Sequence, residues 1–183
     1  RTRHLDRCNH QNIDNYITLE VEPGTPSVDL EFKAIADNTT IKVVSADENE
    51  INIDSDWSGL FNFDINDVTN KVTIYGDLDG FECKENSIVS LDISNNPVLE
   101  EFNCYDNLIT TLDVSNNPEL LYLACGENSI TNLDISNNTK LWEFSCDNNH
   151  LNTLDVSNHP HLNYIVCFGN NFNTSVIDNL YCN

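Results

Sequence analysis

The chain has 183 residues, and 30 acidic side chains against 8 basic ones give it a formal charge of −22. A field this negative repels phosphate backbones and anionic lipid, which argues against nucleic-acid and membrane-surface partners. No apolar run approaches the ~20 residues of a membrane-spanning helix, while a 39 % hydrophobic composition supports a buried core rather than wholesale disorder.

Residues 1–14 are polar and aperiodic and read as a loose tail, with three of the basic residues, Arg1, Arg3 and Arg7, at its start. No start methionine, apolar leader or cleavage site is visible, so the chain reads as mature or trimmed. From residue 15 to 76 the pattern alternates apolar and polar in short runs: Ile17-Leu19-Val21, Val28-Leu30-Phe32, Ile41-Val43, Ile51-Ile53, Phe61-Phe63-Ile65 and Val72-Ile74. Period-two alternation broken by turn-rich pieces such as Pro23-Gly24-Thr25-Pro26 predicts a small antiparallel β cap.

Residues 77–173 carry an internal repeat. Cys83, Cys104, Cys125, Cys146 and Cys167 are each 21 residues apart, and Asn86, Asn107, Asn128, Asn149 and Asn170 keep the same period. So do Leu91, Leu112, Leu133 and Leu154, and the apolar set Ile88, Ile109, Ile130, Leu151 and Phe172. The unit reads L-x-x-[LFI]-x-C-x-x-N-x-[IL]-x-x-L-D-[VI]-S-N-x-x-x, with first halves starting at Leu78, Leu99, Leu120, Leu141 and Leu162. A fixed period of this kind predicts a solenoid. In Phe102-Asn103-Cys104 alternate residues face opposite ways, so Phe102 and Cys104 enter the core and successive coils pair in parallel at ~4.8 Å. Leu112-Asp113-Val114 alternates in the same way and predicts a second short strand on the opposite side. A coil of this length leaves little room for a helix. The Asn side chains can satisfy backbone groups of the neighbouring coil, and the Asn rows are expected to bond to each other and to the turns, because an unsatisfied buried amide costs ~1–3 kcal/mol. Residues 174–183, with Val176, Ile177 and Leu180, read as a degenerate C-terminal coil or cap.

This pattern resembles the leucine-rich repeat family, most closely its short bacterial class with an L-D-[VI]-S-N half, common in Bacteroidota surface proteins. The segment Val72-Thr73-Ile74-Tyr75-Gly76 also looks like the lead-in to such arrays. The resemblance implies a mainly β solenoid of about five coils with little or no helix, closed by the N-terminal antiparallel cap. It also implies export and display at or beyond the cell surface. The cysteines then act as small buried hydrophobes. Stacked on parallel strands they are poorly placed for disulfides, and no C-x-x-C spacing marks a metal site. Cys8 and Cys182 lie outside the array.

In a solenoid the fixed positions build the core and the variable outward ones form the candidate surface. On the first-half strand the outward register reads Gly80, Glu101, Tyr122, Glu143, Tyr164, then Glu82, Asn103, Ala124, Ser145, Val166, and after each cysteine Lys84, Tyr105, Gly126, Asp147, Phe168. Just before the strand come Asp79, Glu100, Leu121, Trp142 and Asn163. The face grades from acidic to aromatic. Glu101, Tyr105, Tyr122, Trp142, Glu143, Asp147, Tyr164 and Phe168 form the candidate ligand-binding face, because exposed rings anchor interfaces and carboxylates suit basic or hydroxyl-rich partners. A protein or carbohydrate ligand is expected.

Asp92, Asp113, Asp134 and Asp155 form another outward row, beside Ser94, Ser115, Ser136 and Ser157. Stacked like charges repel, and turn hydrogen bonding is the favoured way of offsetting them. Calcium is the alternative partner of this row, although one carboxylate per coil is sparse for it. The row Ser90, Thr111, Asn132, Thr153 and Thr174 leaves ice binding as a further alternative. His150, His159 and His161 fall in one repeat, but two of them occupy variable loop positions and no metal site is assigned. No cofactor and no catalytic constellation are expected. The reading is a recognition or adhesion protein, with a structural module of a larger surface protein as its alternative.

Overall fold

The computed structural model describes residues 14–173. Six strands precede the repeats: β1 (Tyr16–Val21), β2 (Ser27–Ala34), β3 (Thr39–Val44), β4 (Glu48–Ile53), β5 (Phe61–Asp64) and β6 (Lys71–Tyr75). Each coincides with one of the alternating runs, and apolar positions such as Ile17, Leu19, Val28, Leu30 and Phe32 are fully buried. The repeats supply β7 (Leu78–Glu82), β8 (Ile88–Asn95), β9 (Glu101–Asn103), β10 (Tyr122–Ala124), β11 (Glu143–Ser145) and β12 (Tyr164–Val166). There is no helix among the described residues.

Two sheets result. One has the order β4-β3-β6-β1-β8 and is antiparallel throughout. The other has the order β12-β11-β10-β9-β7-β2-β5. It is parallel from β7 to β12 and antiparallel where β2 pairs with β7 and with β5. The first coil is thus held on both sides by the N-terminal segment, β7 by β2 and β8 by β1. A single apolar cluster runs from Ile17 to Leu154. Phe32, Phe81 and Phe102 stack through it, with ring centroids 5.9 and 6.1 Å apart and planes within 14° and 10°. Leu123 and Phe144 continue that register, buried.

One local expectation is corrected. The second-half strand exists only as β8 in the first coil. Leu112 and Val114 alternate inward as expected and are buried, yet 112–114 is not a strand, nor are its equivalents in later coils. Alternation reports which way a side chain faces; a strand also needs a backbone partner, and only β8 has one, in β1. The Asn rows, by contrast, link to each other and to the turns as expected, each side chain bonding to backbone groups of its own and the neighbouring coil. Asn107 Oδ1 accepts from the N–H groups of Asn86 (3.1 Å) and Ile88 (2.9 Å) in the preceding coil. Its Nδ2 donates to the carbonyls of Cys83 (3.0 Å), Cys104 (3.1 Å) and Tyr105 (3.3 Å). Asn128, Asn149 and Asn170 repeat this bridging of one coil's backbone to the next. Just ahead of the Asn, Asp106, Glu127 and Asn148 take left-handed φ values of 53°, 51° and 51°, the conformation that tightens the corner and that Asn and Asp enter most readily among non-glycine residues.

A second amide ladder was hidden at a variable position of the repeat pattern. Asn96, Asn117 and Asn138 are fully buried, and Asn117 Nδ2 donates to the carbonyls of Ile93 (3.0 Å) and Asn96 (2.9 Å). His159 takes the next step, its Nε2 lying 3.0 Å from the Ile135 carbonyl, which assigns it a structural rather than a metal-binding place.

Cys83, Cys104, Cys125 and Cys146 are buried free thiols, and Cys167 is half-buried. Burial pushes every one of the five upward in pKa, so the nucleophilic thiolate is scarce at neutral pH. Iodoacetamide at about pH 8 is therefore expected to label Cys167 first, with the four buried thiols modified ~100-fold more slowly or not at all in the folded protein. Peptide mass mapping after a timed quench checks this order; equal labelling would contradict the ladder. Cys8 and Cys182, the tail at 1–13 and the expected coil at 174–183 lie outside the described residues.

Candidate functional site

The outward side of the seven-stranded sheet is the candidate site, and strand register builds it in rows. Across neighbouring strands one row runs Lys33, Gly80, Glu101, Tyr122, Glu143, Tyr164. The next runs Glu31, Glu82, Asn103, Ala124, Ser145, Val166. The face therefore begins on β2, before the repeats, an extension that the 21-residue period has no means of showing because it depends on the non-local β2–β7 pairing.

Gly80 shows what happens at that N-terminal end. A Cβ there would sit 2.8 Å from Lys33 Cβ and 3.0 Å from the Trp57 ring, so the missing side chain admits both. Lys33 reaches past it to Glu101, Nζ to Oε1 2.6 Å. The hydrogen bond to Glu101 is the chief cause that raises the Lys33 pKa, against the opposing effect of burial. Trp57 and Lys33 thus join the face although neither was marked by the repeat. Asp79, beside them, has its carboxyl pKa raised mainly by desolvation.

Of the eight sequence-assigned face residues, the structure brings seven to a half-buried or exposed surface. Trp142, Tyr164 and Phe168 are 52 %, 57 % and 65 % exposed. Trp142 stands beside Leu121 of the preceding coil on one flank, and Phe168 follows β12 on the other. Tyr105, Tyr122, Glu101 and Glu143 are half-buried. Burial raises the Tyr122 phenol pKa, and the negative charges of Glu82 and Glu143 raise it further. Asp147 is the exception, buried although its register points outward. Its carboxylate folds back over Gly126, where a Cβ would meet Asp147 Oδ1 at 2.5 Å, and it accepts from Ser145 Oγ at 2.6 Å and Asn148 Nδ2 at 3.0 Å. Asn148 Nδ2 also donates to Glu127 at 2.7 Å, so Asp147 holds the flank in shape rather than presenting itself to a ligand.

The Asp row lies on another side of the coils. Each carboxylate accepts from the N–H two residues on: Asp92 from Ser94, Asp113 from Ser115, Asp134 from Ser136 and Asp155 from Ser157, all at 2.9 Å. The Ser115 hydroxyl, then its N–H, hold Asp113 below the ordinary carboxylate pKa; at Asp134 and Asp155 the N–H contributes most. No cluster of three or more His, Cys, Asp or Glu residues able to hold a metal occurs among the described residues.

Fold and repeat together define a leucine-rich-repeat-type β-solenoid with 21-residue coils. Among solved structures the chain is similar to the functional domain of InlJ from Listeria monocytogenes, described as including a cysteine ladder. That match has 43 % identity and a TM-score of 0.51, and covers 52 % of this chain but only 21 % of the other. It is also similar to an internalin (inlF) from Listeria monocytogenes str. 4b F2365 at 22 % identity and a TM-score of 0.47, over 56 % of this chain and 38 % of that one. No family model matches the chain, and no curated protein matches it.

Proposed function

We propose that this chain is a non-enzymatic recognition or adhesion module, displayed at or beyond the cell surface, that binds a protein partner through the outward face of its seven-stranded sheet. The observation that carries the reading is the group of large rings outside the core positions of the repeat: Trp142, Tyr164 and Phe168 stay more than half exposed, while Leu162, Ile165 and Cys167 of the last described coil pack against the core. Exposed large apolar side chains gathered on one surface mark interaction sites, and aromatic residues supply most interface hot spots. The ladders of amides and thiols give those rings a rigid base, so little ordering entropy opposes binding. Export is supported by the resemblance of the repeat to surface-protein repeats.

A screen against purified extracellular proteins, with a glycan array in parallel, tests the reading. The Tyr122→Ala/Tyr164→Ala/Phe168→Ala variant should keep its melting temperature within a few degrees and weaken any partner at least about 30-fold, since hot-spot rings contribute ~2 kcal/mol or more each. A partner bound equally by wild type and variant would contradict the strand face. Hits confined to the glycan array would replace the protein partner with a carbohydrate.

A further inference from the structure

All five lysines of the described residues are already paired with carboxylates of the same chain: Lys33 with Glu101, Lys42 with Glu48, Lys71 with Glu20, Lys84 with Glu82, and Lys140 with Glu119. The chain thus satisfies one carboxylate of the outward row itself. At Glu101, β2 delivers Lys33, and its stem passes Gly80 beside the Trp57 ring. Two coils further on the same row repeats the chemistry without the cation. Glu143 pairs in register with Tyr122 on one side and Tyr164 on the other. It has no ion-pair partner among the described residues.

We propose that Glu143, flanked by Tyr122 and Tyr164, receives an arginine side chain from a basic segment of a protein partner, as Glu101 receives Lys33 from the chain itself. The inference rests on the strand-face reading above and names the partner's chemistry. Strands ~4.8 Å apart place the two tyrosines about 10 Å from each other. A guanidinium centred over Glu143 then lies within the ~6 Å reach of both rings. Arginine fits better than lysine, because its planar fork binds a carboxylate through two parallel hydrogen bonds and stacks on aromatic faces. The surrounding charge favours the same sign of partner: Glu82 and Glu101 contribute to the negative field felt at Tyr122, and Lys84 only partly opposes it.

Acetylated hexa-arginine and hexalysine peptides at about 0.15 M salt, where surface fields are screened beyond ~8 Å, provide the probes. Hexa-arginine is expected to bind the wild type more tightly than hexalysine. Glu143→Gln should weaken hexa-arginine about tenfold, as loss of a charge-assisted pair predicts. Asp134→Asn removes the same charge from the Asp row and should change affinity less than about twofold. Tyr164→Leu should abolish the preference for arginine over lysine. Equal weakening by Glu143→Gln and Asp134→Asn, or no measurable hexa-arginine binding, would overturn the proposal. So would a gain in hexa-arginine affinity on replacing Arg1, Arg3 and Arg7 by glutamine, which would make the chain's own arginines the occupant. A protein partner lost by the aromatic triple variant but kept by Glu143→Gln would leave the strand face standing and remove the arginine anchor. A partner kept by both variants would remove the face itself.

Discussion

Phe102→Ala is expected to destabilise the protein by ~3–5 kcal/mol, the range for deleting a buried aromatic ring from a packed core. Phe102 is fully buried and stacked on Phe81 at 6.1 Å, and Phe81 is stacked in turn on Phe32 at 5.9 Å. Phe102 joins that stack to Leu123 and Phe144 in the next two coils, so removing it takes away the link between the N-terminal strands and the later coils. In a solenoid, where each coil leans on its neighbours, that link carries the cooperativity. The melting temperature should fall on the order of 10 °C, and the transition should broaden or split as the later coils uncouple. Phe102→Leu is the informative control. Leu123 already occupies the same register one coil on, fully buried, so leucine should cost only about 1 kcal/mol. Differential scanning calorimetry of both variants checks the argument; a Phe102→Ala melt within 2–3 °C of wild type, where ~1 kcal/mol would show, contradicts it.

A loss of similar size is expected for Asn107→Ala. The amide accepts from two backbone N–H groups of the preceding coil and donates to three carbonyls. Its removal leaves buried donors and acceptors unpaired, at ~1–3 kcal/mol for each group that finds no substitute, so roughly 3–5 kcal/mol in total. Asn107→Asp separates the donor role from the acceptor role. A carboxylate keeps the two accepted bonds but turns the three donated ones into repulsions, and it buries a charge. Burial would raise its folded-state pKa above the unfolded ~3.9. The aspartate variant should therefore be least stable at neutral pH and recover part of its deficit relative to wild type as pH falls toward ~4, where the protonated acid donates again. Asn116→Ala is the control: Asn116 belongs to the repeating S-N pair but is exposed, and its loss should stay within about 0.5 kcal/mol. Urea midpoints measured across pH decide between these outcomes.

The two kinds of asparagine show how far the sequence could be read. Periodicity located every coil, because each repeat must present the same core residues to its neighbour. It could not tell Asn116 from Asn117, neighbours in a pair that recurs at Asn95-Asn96 and Asn137-Asn138. Only the fold shows that the second turns inward to bridge Ile93 and Asn96 while the first faces solvent. For the same reason Leu112-Asp113-Val114 had the right alternation but no strand. Burial of one face is a property of the residue, whereas pairing is a property of the partner.

The face divides along similar lines. Tyr122, Trp142, Tyr164 and Phe168 were legible as rings that no core position demands. Asp147 shares the outward register but is buried, because a backbone register does not reveal that glycine at 126 leaves room for the carboxylate to fold back. Trp57 and Lys33 were invisible, since they reach the face through β2 and through the gap at Gly80, contacts distant in sequence and outside the repeat. The charge of −22 gains a location in the process. Five carboxylates are matched by the lysines, the Asp row is turned onto serine N–H groups, and Glu143 stands on the face between two tyrosines.

Hydrogen–deuterium exchange on the complex with a protein partner taken from the screen tests the central claim most directly. The strand-face account predicts slowed exchange in residues 101–105, 122–126, 143–147 and 164–168, together with 57–58, and no change in 111–116 or 132–137 on the Asp-row side. Protection confined to the Asp-row segments, with the strand segments exchanging as in the free protein, would contradict it.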